Sequence, residues 1–128
     1  MSRITFTGIG MLAGIVIGAA AVSGLNAQGK GPGAYAIVDI SEITDPATFK
    51  TLLPIAGKAN DQFGGKFIAR TENVVALDGT APKRFVVIAF DSMDKAKAWD
   101  KSPLQDEVNA IRRKSTKSRT FLVDSELQ

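Results

Sequence analysis

The segment RFVVIAF, residues 84–90, constrains the fold more than any other part of the sequence. Successive side chains of a β-strand point to opposite faces of its sheet. Here both faces are apolar: one carries Phe85, Val87 and Ala89, and the other carries Val86, Ile88 and Phe90. A sheet built on such a strand needs an apolar covering layer on each side, whereas an open antiparallel sheet usually presents one polar face to water.

The remaining periodicities predict how this strand is embedded. We predict strands at residues 34–43, 66–70 (resuming at 74–77 after an irregularity), 84–90 and 119–125. A long helical segment lies between the first two strands, and two shorter helices lie between the last two. This order is that of a split βαβ unit, so we predict an α+β, ferredoxin-like fold with an antiparallel four-stranded sheet and helices on one face.

Capping residues mark where the helices begin. Asp45 followed by Pro46 predicts the start of the first helix, and Ser92 predicts the start of the second. Ser102, followed by proline and then by glutamine three residues after the cap, predicts the third. Pro54 removes a backbone hydrogen bond and predicts a kink in the first helix.

The first 27 residues have the pattern of a targeting segment. Arg3 is followed by an uncharged, apolar stretch, and Leu25-Asn26-Ala27 is a possible cleavage site before Gln28. We therefore expect residues 1–27 to be a signal peptide, residues 28–34 a flexible Gly-rich linker, and residues 35–124 a periplasmic or secreted domain. The apolar stretch is also about 20 residues long, so an uncleaved inner-membrane anchor with the domain outside the cytoplasm is the alternative.

Composition excludes several classes of function. The chain has no cysteine and no histidine, which excludes disulfides, Ser-His-Asp relays and zinc or haem held by those residues. Its formal charge is only +3, and its basic residues are scattered, so we expect no nucleic-acid partner. No carboxylate pair has the spacing of a metal or glycosidase site. We expect no metal and no cofactor.

The two apolar faces of the sheet predict self-association. Helices cover only one face, and leaving several large side chains exposed on the other costs about 1.5–3 kcal/mol each. We expect a second copy of the chain to cover that face, forming a dimeric α/β barrel with a cavity at the dimer-side face. By parity, Tyr35, Asp39 and Arg70 lie on that face together with Ile68.

These polar residues, with one tryptophan, are the candidate site. Arg70 either pairs with Asp39 as a structural ion pair or offers its guanidinium to a carboxylate or enolate in the cavity. Tyr35 either packs at a strand start or donates its phenolic hydrogen, and Trp99 either fills the core or reaches a ligand through its indole N–H. The basic run that begins at Arg112 is typical of a solvated helix end, and it would contact anionic lipid only beside an uncleaved leader.

Several motifs together resemble a known family. They are DPATF from Asp45, GGKFIAR from Gly64, RFVVIAF from Arg84, AKAW from Ala96 and SPLQDEVNAIR from Ser102. From about Tyr35 to Val123 the chain is similar to a small bacterial family known as a domain of unknown function, within the dimeric α/β barrel superfamily.

The resemblance implies a ferredoxin-like homodimer related by fold to cofactor-independent monooxygenases, muconolactone-isomerase-like enzymes and chlorite-dismutase-like haem proteins. Arg70 matches an arginine typical of the family, whereas Gln105 stands where an aromatic residue is usual. The chain has no histidine that could serve as the axial ligand of a haem.

Three hypotheses about function follow. The first is a binding protein whose cavity holds a small anionic, partly apolar molecule through Arg70, Asp39, Tyr35 and Trp99. The second is a cofactor-independent isomerase or monooxygenase in which Asp39 or Tyr35 is the acid or base and Arg70 stabilises the anion. The third is a purely structural dimer. The residues leave open whether the protein is an enzyme.

Overall fold

The computed structural model describes residues 31–125, which form one antiparallel sheet of four strands and four helices. The elements, in chain order, are β1 (Ala34–Ile43), α1 (Pro46–Lys50), α2 (Leu53–Gln62), β2 (Lys66–Thr71), β3 (Arg84–Phe90), α3 (Met93–Asp100), α4 (Pro103–Ser115) and β4 (Thr116–Asp124). The strands lie in the order β2-β3-β1-β4. This is the α+β, ferredoxin-like fold that the element order predicts.

The predicted leader, residues 1–27, and residues 28–30 of the predicted linker lie outside the described residues. Gly33 already belongs to the fold, because its N–H donates to the carbonyl of Phe90 at 2.9 Å. Within residues 31–125, no helix combines the length and the apolar character that a membrane crossing requires.

The core lies between one face of the sheet and the helices. Burial alternates along β1, where Ala34, Ala36, Val38 and Ile40 are buried and their neighbours are less so. The same face of β3 contributes Val86, Ile88 and Phe90, and the helices contribute Phe49, Leu52, Ala59, Ala96, Trp99 and Val108. The Phe90 and Trp99 rings pack with their centroids 5.1 Å apart.

The turn into β2 depends on two glycines. Gly64 has φ +72°, a left-handed conformation that favours glycine. A Cβ on Gly65 would lie 2.7 Å from the Phe90 ring. The predicted end of the helical segment is therefore confirmed, and the reason is both conformation and close packing.

The predicted helix starts are confirmed. Asp45 accepts the backbone N–H of Thr48 at 3.2 Å and its hydroxyl at 2.7 Å, and these bonds lower the pKa of Asp45. Ser92 and Ser102 accept the N–H groups of the residues three positions later. The predicted kink is a full break, because α1 ends at Lys50 and α2 begins at Leu53 with proline in its first turn.

Two predicted strand limits are wrong. Residues 74–77 do not resume β2, and Val75 and Leu77 are exposed instead. Thr71 already pairs with Phe85 near the start of β3, so that strand has almost no length left to pair with a continuation. The closing strand begins at Thr116 rather than at residue 119, because Thr116 and Lys117 pair with β1 beyond a bulge.

Candidate functional site

A β-bulge in β2 decides where Arg70 points. Phe67 lies opposite Ile88, and Ala69 lies opposite Val87, so Ile68 is an extra residue with no partner of its own. Side-chain parity reverses after Ile68, and Arg70 lies opposite the buried Val86. The prediction that Arg70 shares the dimer-side face with Ile68 is therefore wrong. Arg70 lies on the helix-covered face.

Asp39 and Tyr35 lie on the opposite, open face. Asp39 lies between Phe85 and Arg119 in the sheet, and the Arg119 Nε donates to its Oδ2 at 3.1 Å. The predicted Arg70–Asp39 pair is therefore wrong, because the neighbouring strand supplies Arg119 instead. Tyr35 faces the same way as Asp39, between positions 89 and 123. Within one subunit, neither residue can act on a ligand held by Arg70.

A cavity of about 60 Å³ lies between the helix-covered face of the sheet and the helices. Its wall is mainly apolar, with Val38, Ile40, Phe49, Leu52, Ile88 and Val108 among the lining residues. Arg70 and Trp99 both line it, so the structure brings these two predicted site residues together. The chamber lies within a single subunit, which corrects the prediction that the dimer-side face would form it.

Two arginines stand beside lining aromatic rings. Arg70 is exposed, and its guanidinium carbon lies 4.4 Å from the centroid of the Phe67 ring. The guanidinium carbon of Arg84 lies 5.7 Å from the centroid of the Phe49 ring. Its NH1 lies 3.6 Å from a carboxylate oxygen of the exposed Glu72. Stacking on a ring holds a planar guanidinium while leaving its N–H edge free for an anion. The Arg84 side chain is mostly buried, but Glu72 is exposed to solvent, which screens this contact and weakens it.

A third arginine is buried at the α4 side of the cavity. Arg112 is 8% exposed, and its NH1 donates to the Asn109 Oδ1 at 2.6 Å. Among residues 31–125, no carboxylate forms an ion pair with it. Burial lowers the pKa of Arg112, and the neighbouring charge of Arg113 lowers it further, while Asp100 acts in the opposite direction. An arginine nevertheless stays protonated at neutral pH, so the cavity contains a buried cation.

The sequence from residue 33 to residue 125 matches the family described as a domain of unknown function, DUF1330. The chain belongs to the DUF1330 family. The resemblance drawn from the motifs is thereby confirmed, and residues 33–125 are the DUF1330 domain. No curated protein is significantly similar to the sequence.

Solved structures share the fold of this DUF1330 domain at low identity. A protein of unknown function from Rhodopseudomonas palustris is 10% identical, with a TM-score of 0.61 over 85% of this chain and 94% of that one. A dimeric ferredoxin-like protein from Thermobifida fusca is 16% identical, with a TM-score of 0.53 over 73% and 92%. The cofactor-independent oxygenase SnoaB from Streptomyces nogalater is 15% identical, with a TM-score of 0.52 over 76% and 96%. These likenesses support the fold.

Sequence reasoning missed four polar residues that line the cavity of the DUF1330 domain: Asn60, Arg84, Gln105 and Arg112. Arg84 has the parity of Val86, which indicates the core-facing side of β3. In α4 the buried positions include Gln105, Val108, Asn109 and Arg112, which recur at helical spacing. The prediction of a solvated helix end is therefore wrong for Arg112, because that residue continues the buried stripe of α4. Arg113 and Lys114, on the other sides of the helix, are exposed as expected.

Proposed function

We propose that this protein binds a small organic anion with a short apolar body in the cavity between its sheet and its helices. One observation carries the proposal: Arg70, Arg84 and Arg112 line the cavity, and none of the lining residues described is a carboxylate. Arg112 is the one of the three that is buried without an ion-pair partner among the described residues, and an unpaired cation in an apolar setting is costly, so the site favours an anion that neutralises it.

The size of the cavity limits the ligand. A cavity of about 150 Å³ holds a benzene molecule, whereas this one measures about 60 Å³. By the same comparison, the space holds little more than a carboxylate group and the carbon attached to it. A longer ligand would extend outward past the exposed Arg70.

Binding is favoured over the isomerase or oxygenase alternative. The cavity lining that the structure describes contains no Asp, Glu, Tyr or Lys that could serve as the acid or base. Asp39 and Tyr35, the candidates for that role, face the opposite side of the sheet. SnoaB is a cofactor-independent oxygenase, but its likeness to this chain supports the fold and not the chemistry.

The test is the thermal stability of the purified protein in the presence of short aliphatic and aromatic carboxylates. A ligand at 100 times its Kd stabilises a protein by about 2.7 kcal/mol, which raises the Tm of a domain of this size by about 10 °C. We expect short aliphatic acids to raise the Tm, and we expect Arg112→Met to abolish the rise and Arg70→Ala to weaken it. Arg113→Met, at the exposed neighbouring position, is the matched control. Absence of any shift across the panel would favour the purely structural role.

We also propose that the protein is a homodimer that pairs through the open face of its sheet. Ile37, Val87 and Phe121 form a row across β3, β1 and β4 on this face, and Phe121 and Val123 are exposed. None of the described helices packs there, and apolar faces of this kind mark interaction surfaces. The Thermobifida fusca structure, which shares the fold, is described as dimeric, and this is consistent with a homodimer here.

Light scattering at micromolar concentration tests the dimer. We expect twice the mass of one chain, and we expect Val87→Lys, at the centre of the row, to reduce it to the mass of one. Leu77→Lys, in the exposed loop before β3, is the control and should leave the mass unchanged. A wild-type protein with the mass of a single chain would contradict the pairing.

A further inference from the structure

Two of the arginines that line the cavity are neighbours on the sheet. Arg70 of β2 lies opposite Val86, and Arg84 lies two residues before Val86 on β3. The two arginines are therefore diagonal neighbours on the helix-covered face, and such positions lie about 7–8 Å apart in an antiparallel pair. We call Arg70 and Arg84 the sheet arginines.

Aromatic rings of the cavity wall hold the sheet arginines. The guanidinium carbon of Arg70 lies 4.4 Å from the centroid of the Phe67 ring, and that of Arg84 lies 5.7 Å from the centroid of the Phe49 ring. Both rings also line the cavity. A guanidinium stacked on a ring keeps its N–H edge available for a carboxylate. Because Arg70 is exposed, this edge lies where the cavity meets solvent.

The charges around the cavity do not balance. Three arginines line it, and none of the lining residues described is a carboxylate. Glu72 pairs with Arg84, whereas Arg70 and Arg112 have no ion-pair partner within residues 31–125. These two charges lie on different walls: Arg70 is an exposed residue of the sheet, and Arg112 is an 8% exposed residue of α4. A ligand with one carboxylate beside Arg112 leaves the charge of Arg70 without a partner.

We propose that the cavity selects a dicarboxylate over a monocarboxylate of the same length. One carboxylate pairs with Arg112 inside the cavity, and the other pairs with the sheet arginines at its solvent side. The cavity measures about 60 Å³ and is filled by the first carboxylate and its carbon, so the second group lies outside it. The mainly apolar wall suits the methylene groups that join the two carboxylates. This inference rests on the proposed function, since it specifies the anion that the protein would bind.

Matched pairs of unbranched acids test the selection by isothermal titration of the purified protein at about pH 7, where all of the carboxyl groups are ionised. The pairs are malonate against propionate, succinate against butyrate, and glutarate against pentanoate. In at least one pair we expect the dicarboxylate to have the lower Kd by about 10-fold or more, which is ~1.4 kcal/mol. The pair with the largest difference gives the spacing of the two groups.

A variant of the exposed arginine tests where the second carboxylate binds. Arg70→Gln removes the charge, and we expect it to remove most of the preference while weaker binding of the monocarboxylate remains. Lys66→Gln is the matched control, because Lys66 is an exposed cation of the same strand that lies opposite Ala89 and does not line the cavity. We expect this control to keep the preference of the wild type.

Each outcome separates this inference from anion binding itself. Equal affinity within every pair would overturn the dicarboxylate inference and leave anion binding intact. A preference as large in Arg70→Gln as in the wild type would also overturn it, and so would inorganic phosphate that binds as tightly as the best dicarboxylate, because a single group would then satisfy both charges. If no acid binds at concentrations up to about 10 mM, where even millimolar affinity gives measurable occupancy, anion binding fails, and this inference fails with it.

Discussion

Replacing Arg112 by methionine should stabilise this protein while removing anion binding. Arg112 is a buried cation without an ion-pair partner among residues 31–125, and its Nε has no hydrogen-bond partner. Methionine is unbranched and flexible, so it can follow the path of the arginine stem through the core. The substitution removes the charge and the unpaired donor and retains most of the apolar packing.

The expected change in the free energy of unfolding follows from the hydrogen bond that the variant loses and the unfavourable groups that it removes. The variant loses one hydrogen bond, from NH1 to the Asn109 Oδ1, worth about 1.5–3 kcal/mol for a charged donor. It also removes an unsatisfied N–H, which costs about 1–3 kcal/mol, and a buried charge, whose effective penalty is several kcal/mol. Asn109 keeps a donor from Gln105. The free energy of unfolding should therefore rise by about 1–2 kcal/mol, since replacing buried ionic groups by apolar ones is often stabilising.

Urea denaturation followed by tryptophan fluorescence measures this change. Trp99 is the only tryptophan in the chain and is 1% exposed, so its emission reports on the core. We expect a higher urea midpoint for Arg112→Met with an unchanged slope, and a change below about 0.5 kcal/mol for the exposed control Arg113→Met. A destabilisation of Arg112→Met by more than about 1 kcal/mol would refute this reasoning, because Arg112 would then hold the fold together rather than serve a ligand.

Three further predictions concern the turn into β2, the start of α1 and the leader. Gly65→Ala should lower the free energy of unfolding by about 1–3 kcal/mol, because the added Cβ would lie 2.7 Å from the Phe90 ring. Gly57→Ala is the control and should not lower it, because a Cβ there meets nothing within 4 Å. The urea midpoints of the two variants test the difference. The pKa of Asp45 is lower in the folded protein than its unfolded value of about 3.9. The carboxylate therefore stabilises the fold at pH values above the unfolded pKa, and this stabilisation is lost as the pH falls through the folded pKa. The difference in unfolding free energy between wild type and Asp45→Ala should thus stay constant from pH 7 to about pH 5 and shrink below about pH 4; a difference that does not change with pH would contradict a cap that depends on charge. When the full chain is expressed in a Gram-negative host, we expect a periplasmic protein whose mass is that of a chain starting at Gln28. An intact chain in the membrane fraction would instead favour the anchor.

Much of the fold could be predicted because its signals are local. The caps at Asp45, Ser92 and Ser102 act within one turn of their own helices. The apolar parity of β3 and the Gly64-Gly65 turn act within a few residues as well. Once the order of elements is known, few arrangements bury all of these faces, and the ferredoxin-like sheet is one of them.

The candidate site was only partly predictable, since its geometry depends on register. Arg70 and Trp99 were identified from the sequence, and both line the cavity. The face of Arg70 was predicted wrongly, because one extra residue at Ile68 reverses parity for the rest of β2. Such a bulge arises from pairing with β3, and no periodicity within β2 indicates where it falls.

Three properties follow from the sequence without the fold: the order of strands and helices, the apolar character of both sheet faces, and the absence of cysteine and histidine chemistry. The tertiary structure alone decided that Arg70, Arg84 and Arg112 meet in one cavity, and that Asp39 pairs with Arg119 on the other side of the sheet. The physical reason is the range of the interactions. Capping and periodicity act between residues close in the chain, whereas the register of strands and the burial of a charge depend on elements that meet only after folding.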